Sequence, residues 1–202
     1  MDTKDCILEK ALELFSQSGY HGVSVRDIAR AVGIRESSLY NHFVNKQDIF
    51  DTIVDVCFRR TEDYFKIHAL PFSEEDDLSL YCGVGPDRLQ ELIELTFRYF
   101  FEDAWNVRFR RLLLISQYRD ERCRAIYRQL YRDYCVEFQK HLFQHLMDSG
   151  ELRREDPEAV AIEFYSPIYL LLHTCDSLEE ARPAIRVHVE QFLKNYRRGH
   201  MV

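Results

Sequence analysis

The sequence predicts an all-α protein of about nine helices, and three observations carry that reading. Glycine and proline are scarce, 7 and 5 in 202 residues, which disfavours the turn-rich sandwiches and barrels. Apolar side chains recur at three- and four-residue spacing along most of the chain, the period of an amphipathic helix. No segment carries a convincing strand pattern. With 46% apolar residues, 14 Phe and 12 Tyr among them, the chain has enough to bury for one compact domain or a small domain joined to a medium one.

Each element follows from local chemistry. Over residues 4–17, Ile7, Leu8, Ala11, Leu12, Leu14 and Phe15 make one face, and Ser18-Gly19 supplies a stop. Ser24 opens a second helix as its cap, with Asp27 completing a Ser-x-x-Asp variant of the capping box. Ile28, Ala29 and Val32 face inward and Gly33 ends the helix. A third helix is expected from Glu36 to Phe43, with Leu39 and Phe43 inward. Asn45 then caps a long fourth helix through about His68, striped by Phe50, Ile53, Val54, Cys57, Thr61, Tyr64 and Phe65. Residues 69–86, with Pro71, Ser73, the acidic run Glu74 to Asp77, Gly83, Gly85 and Pro86, read as a loop. Helices are expected beyond it at 87–102, 104–118, 121–148, 157–175 and 179–198. Gly150 marks a stop, Asp156-Pro157 a start, and Pro167 a kink.

Bulk charge sets a constraint on partners. The formal net charge is −7 and the isoelectric point about 5.6, whereas a chain that simply coats nucleic acid would be basic. The six cysteines, at 6, 57, 82, 123, 135 and 175, form no C-x-x-C pair, and the N-terminus has no apolar leader. Reduced thiols and a cytoplasmic location are expected. No apolar run approaches the ~20 residues needed to span a bilayer, so no membrane partner is expected.

Residues 24–43 carry the function. Two short helices about a glycine-containing turn make a helix-turn-helix, which sets its second helix in the major groove of DNA. Ala29 is small enough for close approach, Gly33 permits the turn, and Ile34 is expected in the wedge between the helices. Anchoring by Leu39 and Phe43 turns Arg35, Glu36, Ser37, Ser38, Tyr40, Asn41 and His42 outward, types that hydrogen-bond to base edges and phosphates. Arg26, Arg30 and Lys46 add charge, Lys46 close to a helix N-terminus that favours a phosphate. From 24 to 46 there are four basic and two acidic side chains. This segment is therefore net positive in an acidic chain, and the bulk charge does not exclude a DNA face.

The stretch from Ile7 to Phe50 resembles the N-terminal domain of the TetR/AcrR family of transcriptional regulators. The resemblance rests on Ala11, Leu14, Phe15, Gly19, Tyr20, Ser24, Val25, Ile28, Ala29, Val32, Gly33, Ile34, Leu39, Tyr40, His42, Phe43, Lys46 and Ile49. It implies a DNA-binding domain over 1–47 and a helical ligand-binding and dimerisation domain over 48–202. Tyr40, His42 and Lys46 match the family's phosphate-contacting positions, and Ser37, Ser38 and Asn41 its base-reading positions. Arg26 and Arg35 are flanking candidates, and Ser24 joins this DNA-facing set. Two departures stand out: Arg35 replaces the usual Ser or Thr cap, and Ser37 a small residue. Both bear on which bases are read.

The resemblance further implies a ligand-responsive repressor that binds a palindromic operator as a homodimer and is released by a small molecule of unknown identity. Dimerisation would run through the last two helices, whose apolar faces carry Val160, Ala161, Phe164, Ile168, Leu171, Leu172, Ile185, Val189, Phe192 and Leu193. Among the many aromatics, Tyr64, Trp105, Tyr131, Tyr134 and Tyr165 could offer polar tips to a mostly apolar ligand. Eight arginines lie between 108 and 132; they read as solvated faces paired with neighbouring acids, or as one or two inward cations for an anionic ligand. His141 and His145 share a helix face but lack a third ligand, so no metal site and no cofactor are expected. No nucleophile elbow, phosphate loop or dinucleotide fingerprint argues for the rival reading as an enzyme. A helical interaction module without DNA binding, the other rival, is opposed by the intact Tyr40, His42 and Lys46.

Overall fold

The computed structural model describes residues 2–71 and 76–197. Its helices are α1 (Thr3–Ser18), α2 (Val25–Val32), α3 (Glu36–Leu39), α4 (Lys46–Ile67), α5 (Pro86–Glu102), α6 (Ala104–Ser116), α7 (Glu121–Arg128), α8 (Tyr134–Asp148), α9 (Pro157–Thr174) and α10 (Leu178–Tyr196). A π-helical turn over Gln129–Asp133 joins α7 to α8, so the single helix expected over 121–148 is one run with a wider turn in its middle. Counted that way, the described residues form nine helices. Among them no strand occurs; one antiparallel bridge pairs Leu152 with Arg197. Among its described residues the expected loop holds a 3₁₀ turn, Leu78–Tyr81; Ser73, Glu74 and Glu75 lie outside the described residues.

Two compact units share the chain. The first takes the residues to Asp63 together with Asp103–Arg128, and the second takes Tyr64–Glu102 and the chain from Gln129 onward. In the first, α1 packs along α6 and α2, burying Ile7, Leu8, Leu12, Phe15, Ile28, Leu39, Phe43, Ile49, Phe50, Ile53, Phe109, Leu112 and Leu113. In the second, α9 packs on α8, α10 and α5. Its centre is aromatic: Phe164 lies 4.6 Å from Phe192 and 5.3 Å from Phe143 between ring centroids, in edge-on arrangements.

That centre corrects the expected dimer residues. Phe164, Ile168, Leu172, Ile185, Val189 and Phe192 are buried within the chain itself, and Leu171 is half-buried. The reason lies in α9, which is apolar on more than one face, so periodicity alone did not choose between them. The large apolar side chains left exposed on these two helices are Ile162 and Leu170 on α9, 50% and 59% exposed, and Val187 on α10, 67% exposed.

Helix ends follow the expected chemistry. Asp156 accepts from the backbone N–H groups of Glu158 and Ala159 at 2.9 and 3.0 Å, with Pro157 at the first position. After α4 the chain closes through Leu70 N–H to Phe65 O, 2.9 Å, and Ala69 N–H to Lys66 O, 3.2 Å, a Schellman ending. It places Ala69 at φ 51, in the left-handed region where a Cβ is unfavourable. Ala69→Gly is therefore expected to raise stability by about 1 kcal/mol, read as a higher denaturant midpoint; an unchanged or lower midpoint contradicts the strain.

Candidate nucleic-acid interface

The helix-turn-helix is shaped by two local devices. At the start of α2, Asp27 N–H donates to Ser24 Oγ at 3.2 Å, while Ser24 N–H and hydroxyl donate to the Asp27 carboxylate at 3.0 and 2.5 Å. The hydroxyl first, then the amide, holds Asp27 below the usual carboxylate range. At its end, Gly33 adopts φ +79 and donates to Arg30 O at 3.2 Å, and Ile34 N–H reaches Ala29 O at 3.0 Å. A left-handed residue here lets the chain reverse within one position. Ile34, expected in the wedge, is half-buried.

The third helix is shorter than expected. It is helical over Glu36–Leu39 and then tightens, with Asn41 N–H on Ser38 O at 3.3 Å and His42 N–H on Leu39 O at 2.9 Å. Arg35 occupies its cap position without a side-chain cap bond. Leu39 and Phe43 are buried, while Arg35, Ser37, Tyr40, Asn41 and His42 are exposed and Ser38 half-buried. Val44, an apolar side chain 79% exposed beside this face, escaped the sequence reading because nothing local distinguishes it from Phe43. Two acids also escaped it as partners: Glu36 lies 3.5 Å from Arg26, and Asp27 3.6 Å from Arg30. Exposed pairs of this kind are worth little, so both arginines stay available.

Lys46 requires a correction. Its ammonium donates to Tyr20 O at 3.0 Å and Val23 O at 2.9 Å and sits 4.3 Å from the centre of the Tyr20 ring. Burial pulls it below the usual lysine value. The side chain ties α4 to the loop between α1 and α2 rather than reaching outward; the start of α4 is capped by Asn45 Oδ1, which accepts from Asp48 N–H at 2.9 Å.

The five aromatics expected at a ligand divide between the two units. Trp105 belongs to the first unit, beside Arg60. Tyr134 is 49% exposed and its hydroxyl accepts from Gln129 at 2.6 Å, so it does not line an interior; the π turn just before it rotates the helix face. Tyr64, Tyr131 and Tyr165 share the second unit, where Tyr64 donates to Leu95 O and Tyr165 to Tyr131 O, both at 2.8 Å. Of the arginines between 108 and 132, Arg108 pairs with Glu9, Arg122 with Asp51 and Arg132 with Asp133, and Arg124 donates to Gln117 O. Among the described residues no three His, Cys, Asp or Glu side chains are arranged to hold a metal ion. His141 faces Glu137 and His145 faces Cys82.

Residues 7–53 match the model of bacterial regulatory proteins of the tetR family. The biofilm operon icaADBC HTH-type negative transcriptional regulator IcaR of Staphylococcus epidermidis is 41% identical over 61 residues, 30% of this chain and 33% of that protein. Its Staphylococcus aureus counterpart is 46% identical over 55 residues, 27% and 30% of the two chains. The chain thus spans about a third of the length of the relatives it matches. The fold extends further: the TetR family regulator PfmR from Thermus thermophilus superposes with a TM-score of 0.63, at 23% identity, over 93% of this chain and 97% of that one. The ketosteroid regulator KstR2 of Mycobacterium tuberculosis does so at 0.60 and 18% identity over 98% and 96%. Residues 7–53 thus match the head of the tetR family's model, and the all-helical body shares its fold with solved regulators of that family.

Proposed function

We propose that this chain is a transcriptional repressor that binds operator DNA as a homodimer through residues 1–47 and is released by a small molecule held within 48–202. One observation carries the reading: with Leu39 and Phe43 buried, Arg35, Ser37, Tyr40, Asn41 and His42 are left exposed on a short helix and the turns flanking it. Tyr40 and His42, with the backbone start of α4 at Lys46, contact phosphates; Ser37, Ser38 and Asn41 read bases; Ser24, Arg26 and Arg35 flank them. The negative sign of regulation is taken from IcaR, named as a negative regulator. Such a protein works in the cytoplasm, where the DNA is.

Two heads spaced about one turn of DNA, roughly 34–36 Å, enter successive major grooves of a palindrome. The second copy covers the exposed stripe of Ile162, Ser166 and Leu170 on α9 and Val187 on α10. The effector contacts ring faces of Tyr64, Tyr131 and Tyr165, since the hydroxyls of Tyr64 and Tyr165 are engaged with backbone carbonyls; this favours an apolar ligand. Release requires the ligand to bind the DNA-free form more tightly, and α4, continuous from one unit into the other, is the element to transmit it.

Two measurements test this. A duplex selected by the protein from a random pool should be bound with affinity falling steeply as salt rises, about 0.9 per phosphate contact in the logarithmic slope; selection of no duplex overturns the reading. Leu170→Glu with Val187→Glu should convert a sedimenting dimer to monomer and weaken that binding at least tenfold, roughly the loss expected when one head must act alone. A double variant that remains dimeric contradicts the assigned face.

A further inference from the structure

The corner between α6 and α7 reaches back to the reading head across 71 to 99 residues of sequence. Three bonds make the connection, all within the first unit. Ser116 Oγ accepts from the backbone N–H of Tyr20 at 3.1 Å, a buried contact. Asp120 Oδ2 lies 2.9 Å from His21 Nε2. The Arg122 guanidinium pairs with Asp51 and lies 5.4 Å from the centre of the Phe50 ring. These partners occupy the loop before α2 and the first turns of α4, the two segments that flank the helix-turn-helix.

The segments are also joined to each other. Tyr20 donates its hydroxyl to Gln47 Oε1 at 2.9 Å, and Gln47 Nε2 donates to Asp51 Oδ1 at 2.9 Å, so Asp51 ends a chain that begins in the loop and is finished by Arg122. The corner is itself braced: Arg119 and Asp120 N–H both reach Ser116 O at 2.9 Å, and Asp120 Oδ1 accepts from Cys123 N–H at 3.0 Å. Gly19 allows the approach. It stands at φ +71, and a Cβ there would lie 3.3 Å from Ile115 and 3.4 Å from Ser116.

We propose that Ser116, Asp120 and Arg122 are positioning residues for DNA binding, holding the Gly19–Val23 loop and the start of α4 in the register the reading face requires. The role rests on the DNA-binding function proposed above, and none of the three belongs to the DNA-facing set. Phosphate contacts set the register of a protein on the duplex, and a head whose flanks drift must recover that register on binding. Each exposed pair alone is worth little; the effect comes from a network with a buried member in Ser116.

The test uses the full chain and the duplex that the wild type selects from a random pool. Arg122→Gln and Ser116→Ala should weaken binding about threefold to tenfold with the salt slope unchanged, because no phosphate contact is lost. The exchanged pair Arg122→Asp with Asp51→Arg should recover part of the loss, since it restores the ion pair but not the bond that Gln47 donates to Asp51. In the DNA-free protein, amide hydrogen exchange at Tyr20 and over 47–51 should quicken several-fold in both single variants. Unchanged affinity and exchange in the single variants overturn the proposal. So does a salt slope reduced by about one in Arg122→Gln, which makes Arg122 a direct phosphate contact, or an exchanged pair no better than the single variant. A wild type that selects no duplex overturns the DNA-binding reading and this role with it, whereas variants that match a wild type that does bind overturn this role alone.

Discussion

The helix-turn-helix depends on the burial of two side chains four residues apart. α3 is only four residues long, too short to persist on its own, and it lacks a side-chain cap. What holds it is Leu39 and Phe43, buried with Phe15, Ile28, Ile49 and Ile53 in the core of the first unit. Removing a fully buried leucine of this kind costs about 2–5 kcal/mol, more than every surface contact around α3 supplies. The outward direction of Arg35, Ser37, Tyr40, Asn41 and His42 is a consequence of that anchoring.

A short, externally anchored helix also explains why the surrounding bonds matter. Lys46 closes on Tyr20 and Val23 carbonyls, and Gln47 and Asp51 carry the connection onward. A lysine read from sequence as a DNA contact is thus part of the frame. The acidic chain reconciles with a DNA face by the same economy: Asp27 and Glu36 lie against Arg30 and Arg26 in exposed, weak pairs, which leaves the local positive balance usable.

Much of this was legible in the residues. Ser24 and Asp27 announced a capping box, Gly33 a helix end and sharp turn, Asp156-Pro157 a helix start, and each is present, Gly33 in the left-handed conformation. What was not legible falls into two kinds. One is contact between residues far apart, such as Tyr20 with Ser116 or Asp51 with Arg122, which leaves no periodic trace. The other is the choice of face on a helix apolar all round. On α9 the run from Val160 to Leu172 offers both Phe164 with Ile168 and Ile162 with Leu170 as a stripe, and only the packing of α8 and α10 determined that the first goes inward. The wider π turn at Gln129–Asp133 belongs with the second kind, since a change of helical pitch shifts the face on which Tyr134 falls.

The central claim, that the polar side of α3 and the start of α4 meet the duplex, is tested most directly by following backbone amide resonances during titration with a selected duplex. The account predicts the largest shifts over residues 35–47, with small ones over 86–102. Large shifts confined to 86–102, with 35–47 unmoved, would contradict it.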